Sequence, residues 1–422
     1  MNDLQIEYFL AAARNMSFSK AAQELFVSQP AISRQILALE QELGCPLFER
    51  LNRGIVLTAN GEMFYDFFER YRTELSDLKL RAKLSLENKN RVIHLGVLNN
   101  WNISGIILPV LREFARQYPD IKASALRNAV AGMFNIPEES LIFGNGASEL
   151  FMAVMHAIRP DRVLLPVPSF YGYEYAAVAV QSRIHTVYLK EDRQYLPDEE
   201  LFGELTEDID VLFLANPNNP TGQRMEKSYI KKLLELCREK EILVILDECF
   251  IEFCGEEYSM MPETGEYDNL LIVRAFTKSF AIPGVRLGYL VSSNRELRNN
   301  IKAHLPEWNL SAFAQEAGIA CAAQKEYLGK TREYIRTERK ILSENLKNTG
   351  IRVFDGEADF LLIYTDIPLY GELLKRGILI RDCQNFRGLT EGYYRVAVKT
   401  REENIRLWKE AGECIEENRA VI

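Results

Sequence analysis

The stretch FARQYPDIKASALRNAVAGMF, residues 114–134, separates two parts of the chain that follow different patterns. Residues 1–90, on its N-terminal side, divide into short helical segments. From about Ile136 onward, short apolar runs alternate with helical ones. The reading of this stretch decides whether the chain is one architecture or two in tandem. Tyr118, Pro119 and Asp120 end one helical segment, and a second begins just after them. Either flank could supply those residues, so a seam is expected within them. At 422 residues the chain exceeds what one compact core holds, which agrees with two or three domains.

The totals exclude several classes. A hydrophobic content of 47% and a charged content of 26% are those of an ordinary globular protein. A net charge of −9 argues against a whole-chain polyanion binder but permits one local DNA-reading surface. The opening MNDLQIEYFLAAARN carries charges within its apolar run and reads as no signal peptide. No apolar run approaches the roughly 20 residues that span a bilayer, so no membrane association is expected. Seven cysteines without C-x-x-C pairs and four histidines suggest neither a disulfide framework nor a metal site, and a reducing cytoplasm is expected.

Within the first ninety residues, Ile6, Phe9, Leu10 and Ala13 recur at helical spacing. Ser17 or Ser19 can cap SKAAQEL, and FVSQ connects it tightly to PAISRQILALEQEL. Pro30 suits a first helical turn, where no amide hydrogen bond is lost. Two short helices so joined describe a helix-turn-helix, whose second helix can enter the major groove. Ser28, Gln29, Ser33 and Arg34 stand at the start of that helix and carry donors and acceptors for bases and phosphates. Arg50 precedes LNRGIVLT and Arg53 lies within it, a hairpin wing with Gly54 at its turn. Charge does not decide the matter, because 11 basic residues face 12 acidic ones here. On these residues alone, a helical bundle with a solvated face remains an equal alternative.

The pattern F..AA...SFS.AA..L.VSQPA.S.QI..LE..LG..LF.R..R...LT..G, over residues 3–65, resembles the DNA-binding domain of LysR-type transcriptional regulators. That resemblance implies an all-α winged helix-turn-helix at 1–62. It also implies a linker helix over 63–90 that pairs two subunits, and hence a homodimer on DNA. RVIHLGVLNNWNISGIILPVLREFARQYPDI is similar to the opening strand and helix of that family's effector domain, the rest of which never follows.

In the remaining residues, RVLLP, DVLFLA, ILVILD and NLLIVR read as buried strands of a mostly parallel sheet covered on both faces. Four motifs follow in order. GNGASELFMAVMHAI is a glycine turn opening a helix, where the amides of Ala147 and Ser148 can hold a phosphate. LANPNNPTG ends a strand, and Asn219 can donate to a ring oxygen. ILVILDECFIEF puts Asp247 and Glu248 at the end of a buried strand, where a carboxylate is costly unless paired and is expected to meet a cation. VRAFTKSFAIPGVRLGYL carries Lys278 in an apolar setting, which can lower a lysine's pKa and make it nucleophilic, with Arg286 eight residues later. Taken singly, each has a bland reading as a turn, a loop or a structural charge.

Together they resemble the fold-type I pyridoxal-phosphate enzymes of the aminotransferase class I/II superfamily, over roughly residues 118–422. The resemblance implies an α/β fold, with a large domain at 122–304 built on a seven-stranded sheet and a small α+β domain at 305–422. Residues 91–121 form the junction. It also implies the cofactor pyridoxal 5'-phosphate. Lys278 would condense with the cofactor's aldehyde and then carry protons, Asp247 would pair with its ring nitrogen, and Phe170 would stack on the ring. Asn219 would bond the phenolic oxygen. Ala147, Ser148, Thr277, Arg286 and Tyr118 would hold the phosphate, Tyr118 reaching a partner subunit's cofactor. Arg395, in YYRVAVKTREEN, would grip the substrate carboxylate as a two-pronged pair.

Within the superfamily, FAIPGVRLGYL, PEWNLSAFAQ and RDCQNFRGL look more like threonine-phosphate decarboxylases of cobalamin biosynthesis than histidinol-phosphate aminotransferases. Phe250 points the same way, since the aminotransferases usually carry a tyrosine there. The substrate implied is a phosphorylated amino acid, with Asn309, Arg381 and Arg387 beside Arg395 as its contacts. Residues 91–117 are expected to pack imperfectly, because IHLGVL has lost the sheet it was built for, and turnover depends on the positioning that remains.

Overall fold

A computed structural model describes residues 3–50, 55–65, 67–68 and 119–419. They fall into two compact units, one within residues 1–96 and the other within 97–422.

In the first unit, α1 (Asp3–Asn15), α2 (Phe18–Glu24) and α3 (Gln29–Leu43) surround a core of Phe9, Leu10, Ile32, Ile36 and Leu39. Ile32, Ile36 and Leu39 recur at helical spacing on the inner side of α3. Of the two candidate caps, Ser17 closes α2 by accepting the Lys20 amide at 3.3 Å. Pro30 lies in the first turn of α3, and Gly44 ends that helix in the left-handed region at φ 73°. β1 (Phe48–Arg50) and β2 (Ile55–Leu57) pair antiparallel with Arg50 opposite Ile55, which makes the expected wing. Glu40 of α3 fastens that wing, accepting the amides of Leu47 at 2.7 Å and Phe48 at 3.1 Å. Residues 59–65 and 67–68 are helical, and Phe68 is buried edge-on against Phe9 at 5.7 Å. The rest of the expected linker helix, the junction up to residue 118 with its expected poor packing, Arg53 and Tyr118 lie outside the described residues.

The second unit is built on β3 (Leu141–Gly144), β4 (Arg162–Val167), β5 (Arg183–Tyr188), β6 (Val211–Ala215), β7 (Leu243–Asp247), β8 (Leu270–Ala275) and β9 (Gly288–Val291). They form one sheet in the order β3-β9-β8-β7-β6-β4-β5. Only β9 runs against its neighbours. Alternation along the strands divides the apolar residues between two cores. Val244 and Leu246 join one face while Ile245 joins the other, and Leu270 and Ile272 oppose Leu271 and Val273 in the same way. This two-sided burial explains why β4, β6, β7 and β8 are legible as continuous apolar runs. β3, β5 and β9 were not anticipated as strands. β5 lies at the sheet edge and reads RIHTVY, with half-buried polar residues.

A second sheet, of β10 (Arg352–Phe354), β11 (Phe360–Tyr364), β12 (Arg381–Asp382) and β13 (Tyr393–Ala397), is antiparallel in the order β10-β11-β13-β12. Helices Lys325–Asn348, Leu369–Lys375 and Arg401–Arg419 cover it through Leu342, Leu346, Leu369, Leu373 and Ala411. Helix Ala312–Ala322 belongs with the large sheet's core, its Ala314, Ala317 and Cys321 packing among Leu126 and Leu287. Among the described residues, no helix is long and apolar enough to cross a membrane, and no cluster of His, Cys, Asp and Glu suits a metal ion.

Candidate active site

The parallel strands all end at one edge of the large sheet, and the segments that follow them converge there. Register makes the convergence explicit. Ala215 pairs with Asp247, Asp247 with Val273, and Ala275 with Gly288, which also faces Gly144. The glycine turn, the NPNNPTG loop, Asp247 and the Phe276–Ser279 turn carrying Lys278 are therefore neighbours.

Asp247 is buried, and two donors hold its carboxylate. The Tyr173 hydroxyl donates to Oδ2 at 2.5 Å and the Cys249 amide donates to Oδ1 at 2.9 Å. Burial pushes its pKa up, while these bonds and the charge of Lys278 pull it down. Tyr173 is itself buried, stacked on Phe213 at 5.0 Å, and both burial and the adjacent carboxylate raise its phenol well above the ordinary range. The expected cation partner for this pair of acids falls on the other one. Arg274, fully buried, bonds Glu248 at 2.9 and 3.0 Å, whereas Asp247 meets Lys278 only through charge. Lys278 also corrects the expected apolar setting. Phe276, Thr277, Ser279 and Phe280 around it are buried, but Lys278 is exposed, with Nζ 5.6 Å from the centre of the Phe250 ring.

The glycine turn forms a cradle. Helix Ala147–Ile158 begins after Gly146 at φ 78° with no side chain capping its amides. The Arg286 guanidinium lies against Gly146, where an added Cβ would stand 2.5 Å from Nη2. A Cβ on Gly288 would stand 2.7 Å from the Gly146 backbone. Uncapped amides, a guanidinium without an ion-pair partner among the described residues and room kept by two glycines compose an anion site.

On the opposite side, Arg395 of β13 donates from Nη1 to Asn219 Oδ1, which leaves the Asn219 amide hydrogens free to donate. Arg395 lies 4.8 Å from the Phe360 ring, and Phe360 meets Phe250 edge-on at 5.2 Å. Arg381 and Arg395 line a hollow of about 590 Å³ with Tyr370, Leu379 and Asp382.

A family model described as aminotransferase class I and II matches residues 112–409. The chain belongs to that family. Residues 4–62 match a second model, the lysR family of bacterial regulatory helix-turn-helix proteins. A threonine-phosphate decarboxylase of Salmonella typhimurium is 32% identical over 295 residues, 69% of this chain and 81% of that protein. A histidinol-phosphate aminotransferase of Methanococcus aeolicus is 30% identical over 333 residues, 76% and 89% of the two chains. The crystal structure of the histidinol-phosphate aminotransferase from Clostridium acetobutylicum superposes with a TM-score of 0.69 at 33% identity, covering 73% of this chain and 93% of that one.

The other residues singled out from sequence have varied surroundings. Phe170 is half-buried and edge-on to Tyr173 at 5.6 Å, and its ring occupies the space where a Cβ on Gly172 would stand. Thr277 is buried beside Lys278. Asn309 is spent on structure, donating to the Phe143 carbonyl at 2.9 Å and to Glu149 at 3.2 Å. Arg387 is paired with Glu174 at 2.5 Å, and Arg381 with Asn385 at 2.8 Å. In the first unit, Ser28, Gln29 and Arg34 are exposed and Ser33 is half-buried. Gln29 and Ser33 lie one helical turn apart on α3, as do Pro30 and Arg34. Arg50 closes β1. Sequence reasoning missed Tyr173, which lies three places beyond Phe170, a residue named for its ring alone.

Proposed function

We propose that the large unit binds pyridoxal 5'-phosphate and decarboxylates a phosphorylated amino acid of the threonine-phosphate type, in a chain that also carries a DNA-reading domain. The observation that carries this reading is the convergence of Asp247, Lys278 and the Gly146–Arg286 cradle at one sheet edge, with Arg395 and Asn219 opposite. The residues fit the cofactor. The cradle suits its phosphate, the free Asn219 amide its phenolic oxygen, Phe170 its ring face and Asp247 its ring nitrogen.

When bound, that cofactor supplies an electron sink for charge developing at the substrate Cα. The chain's own residues do the remaining work. Asp247, steadied by Tyr173 and Cys249, holds negative charge deep in the site. Lys278 would hold the cofactor through its aldehyde and would move a proton at the substrate Cα. Arg395 would grip the substrate carboxylate and, with Arg381, would set which Cα bond is presented for cleavage: the carboxylate bond for loss of CO2, or the hydrogen for transamination. Phe250 offers no hydroxyl to the ring oxygen.

Protein supplied with pyridoxal phosphate and reduced with borohydride should carry the pyridoxyl mass on Lys278, and Lys278→Ala should not. O-phospho-L-threonine should release CO2, whereas histidinol phosphate with 2-oxoglutarate should give no glutamate. The opposite result would make the chain an aminotransferase of the histidinol-phosphate type. A second reading rests on the helix-turn-helix match: the large unit serves as a ligand sensor for the DNA reader. Operator affinity that shifts with O-phospho-L-threonine in the absence of turnover would favour it.

A further inference from the structure

Beyond β5 the chain sends one aromatic side chain from the large sheet into the second. Gln194 at φ 57° and Tyr195 at φ 59° are successive left-handed residues without glycine, a costly backbone for a bulky side chain. Tyr195 is nonetheless buried there. Its ring packs against Phe354 of β10 at 5.5 Å and Tyr393 of β13 at 6.3 Å, in a cluster with Leu362, Cys383 and Phe386. Inside that cluster its hydroxyl donates to the Tyr393 hydroxyl at 2.8 Å. Glu191 of the same segment pairs with Arg352 of β10, but both are half-exposed and the pair holds little. Strand alternation places Arg395 beside this bond. Tyr394 and Val396 join the helix-covered core with Leu361 and Ile363. Tyr393 and Leu362 join the Tyr195 cluster instead, and Leu362 pairs with Arg395. Arg395 therefore shares the face of Tyr393, two residues further along β13. The mechanism above gives Tyr195 no part.

We propose that Tyr195 is a positioning residue for Arg395: through the buried hydroxyl pair it fixes β13 and so sets where the guanidinium meets the substrate carboxylate. The need for such a brace follows from the division of the site. Asp247, Lys278 and the Gly146–Arg286 cradle stand at the edge of the large sheet, whereas Arg395 is carried by the second sheet. A two-pronged pairing of guanidinium and carboxylate tolerates little displacement, and a small misplacement in such a site is felt strongly. The hydroxyl pair ties β13 to a segment of the large sheet's own chain, and it keeps the carboxylate anchor in register with the cofactor's anchors. Losing it weakens a ligand through its carboxylate and leaves the cofactor's own contacts in place. The proposal rests on the reading of Arg395 as the carboxylate anchor.

Calorimetric titration of the full-length holoprotein with 3-phosphonopropionate, which has no amine and cannot react, measures the carboxylate grip. Propylphosphonate, which lacks the carboxylate, is the comparison. Wild type should prefer 3-phosphonopropionate, and Arg395→Gln should lose that preference. Tyr195→Phe removes the hydroxyl and keeps the ring. It should weaken 3-phosphonopropionate by about fivefold, the worth of one hydrogen bond, and leave propylphosphonate unchanged. Pyridoxal phosphate affinity, followed by equilibrium dialysis, should also stay unchanged. Tyr393→Phe should act in the same direction, and the double variant should lose no more than the larger single loss, because both remove one bond. Wild-type affinity for 3-phosphonopropionate in Tyr195→Phe, or an equal loss for both compounds, would overturn this proposal and leave the proposed function standing. No preference in the wild type, or one that survives Arg395→Gln, would overturn the anchor reading and this proposal with it.

Discussion

Replacing Arg274 by methionine tests how the floor of the site is held. Its guanidinium is fully buried and contacts Glu248 at 2.9 and 3.0 Å, Glu256 at 3.0 and 3.1 Å and Ser259 at 2.5 Å, with Glu252 at 3.7 Å and the Phe134 ring at 4.9 Å. Glu248 is also fully buried and keeps only the Ser259 hydroxyl and the Met260 amide if the cation is lost. Breaking a buried pair by removing one partner costs about 3–5 kcal/mol, because the remaining charge is stranded. The loss should therefore be about 3–5 kcal/mol at pH 8. All three tryptophans, at 101, 308 and 408, lie within residues 97–422, so tryptophan fluorescence during urea unfolding reports on that unit without interference from the DNA reader. A double variant, Glu248→Gln with Arg274→Met, should recover much of the loss, since no buried charge is then left alone. A loss below about 1 kcal/mol at pH 8 would show that the Arg274–Glu248 pair does not hold this region.

Three further outcomes are expected. Tyr173→Phe removes one of two donors to Asp247 and should lower cofactor affinity by about tenfold, the cost of one hydrogen bond to a charged group, measured by equilibrium dialysis; unchanged affinity would remove Tyr173 from the site. Glu252 is pushed up to about 8 by burial from an ordinary 4.5, so it costs nothing below the lower value and destabilises progressively as pH rises to the upper one. Glu252→Gln should thus gain stability relative to wild type between pH 5 and pH 8, seen as a widening gap between melting temperatures; a constant gap would contradict the assignment. Arg34→Ala should weaken operator DNA binding and reduce the slope of log affinity against log salt by about 1, and an unchanged slope would exclude a phosphate contact from this arginine.

Much of the fold and part of the site could be read before any coordinates, for identifiable reasons. β4, β6, β7 and β8 are buried on both faces and stand out as apolar runs, whereas β5 is an edge strand of mixed polarity and does not. The helix-turn-helix was legible because Ser17 and Pro30 mark helix starts by local chemistry. Lys278 and Asp247 were legible as residue types, but the surroundings expected for each were exchanged with a neighbour. The burial fell on Phe276 and Phe280, and the cation on Glu248. A strand end shows that its residues approach the sheet edge, not which of two adjacent carboxylates turns toward which partner.

The sequence by itself determined the order of helices and strands, the two-part division of the chain and the kinds of group gathered behind the strands. These follow from periodicity, caps and turn residues, which act over a few positions. Only the tertiary structure decided which atoms meet: the Tyr173 hydroxyl on a carboxylate 74 residues away, and Arg395 on an amide 176 residues away. Those meetings depend on the strand order β3-β9-β8-β7-β6-β4-β5 and on how the second sheet lies near its edge. That arrangement is chosen by burial of distant apolar faces, and no local pattern records it.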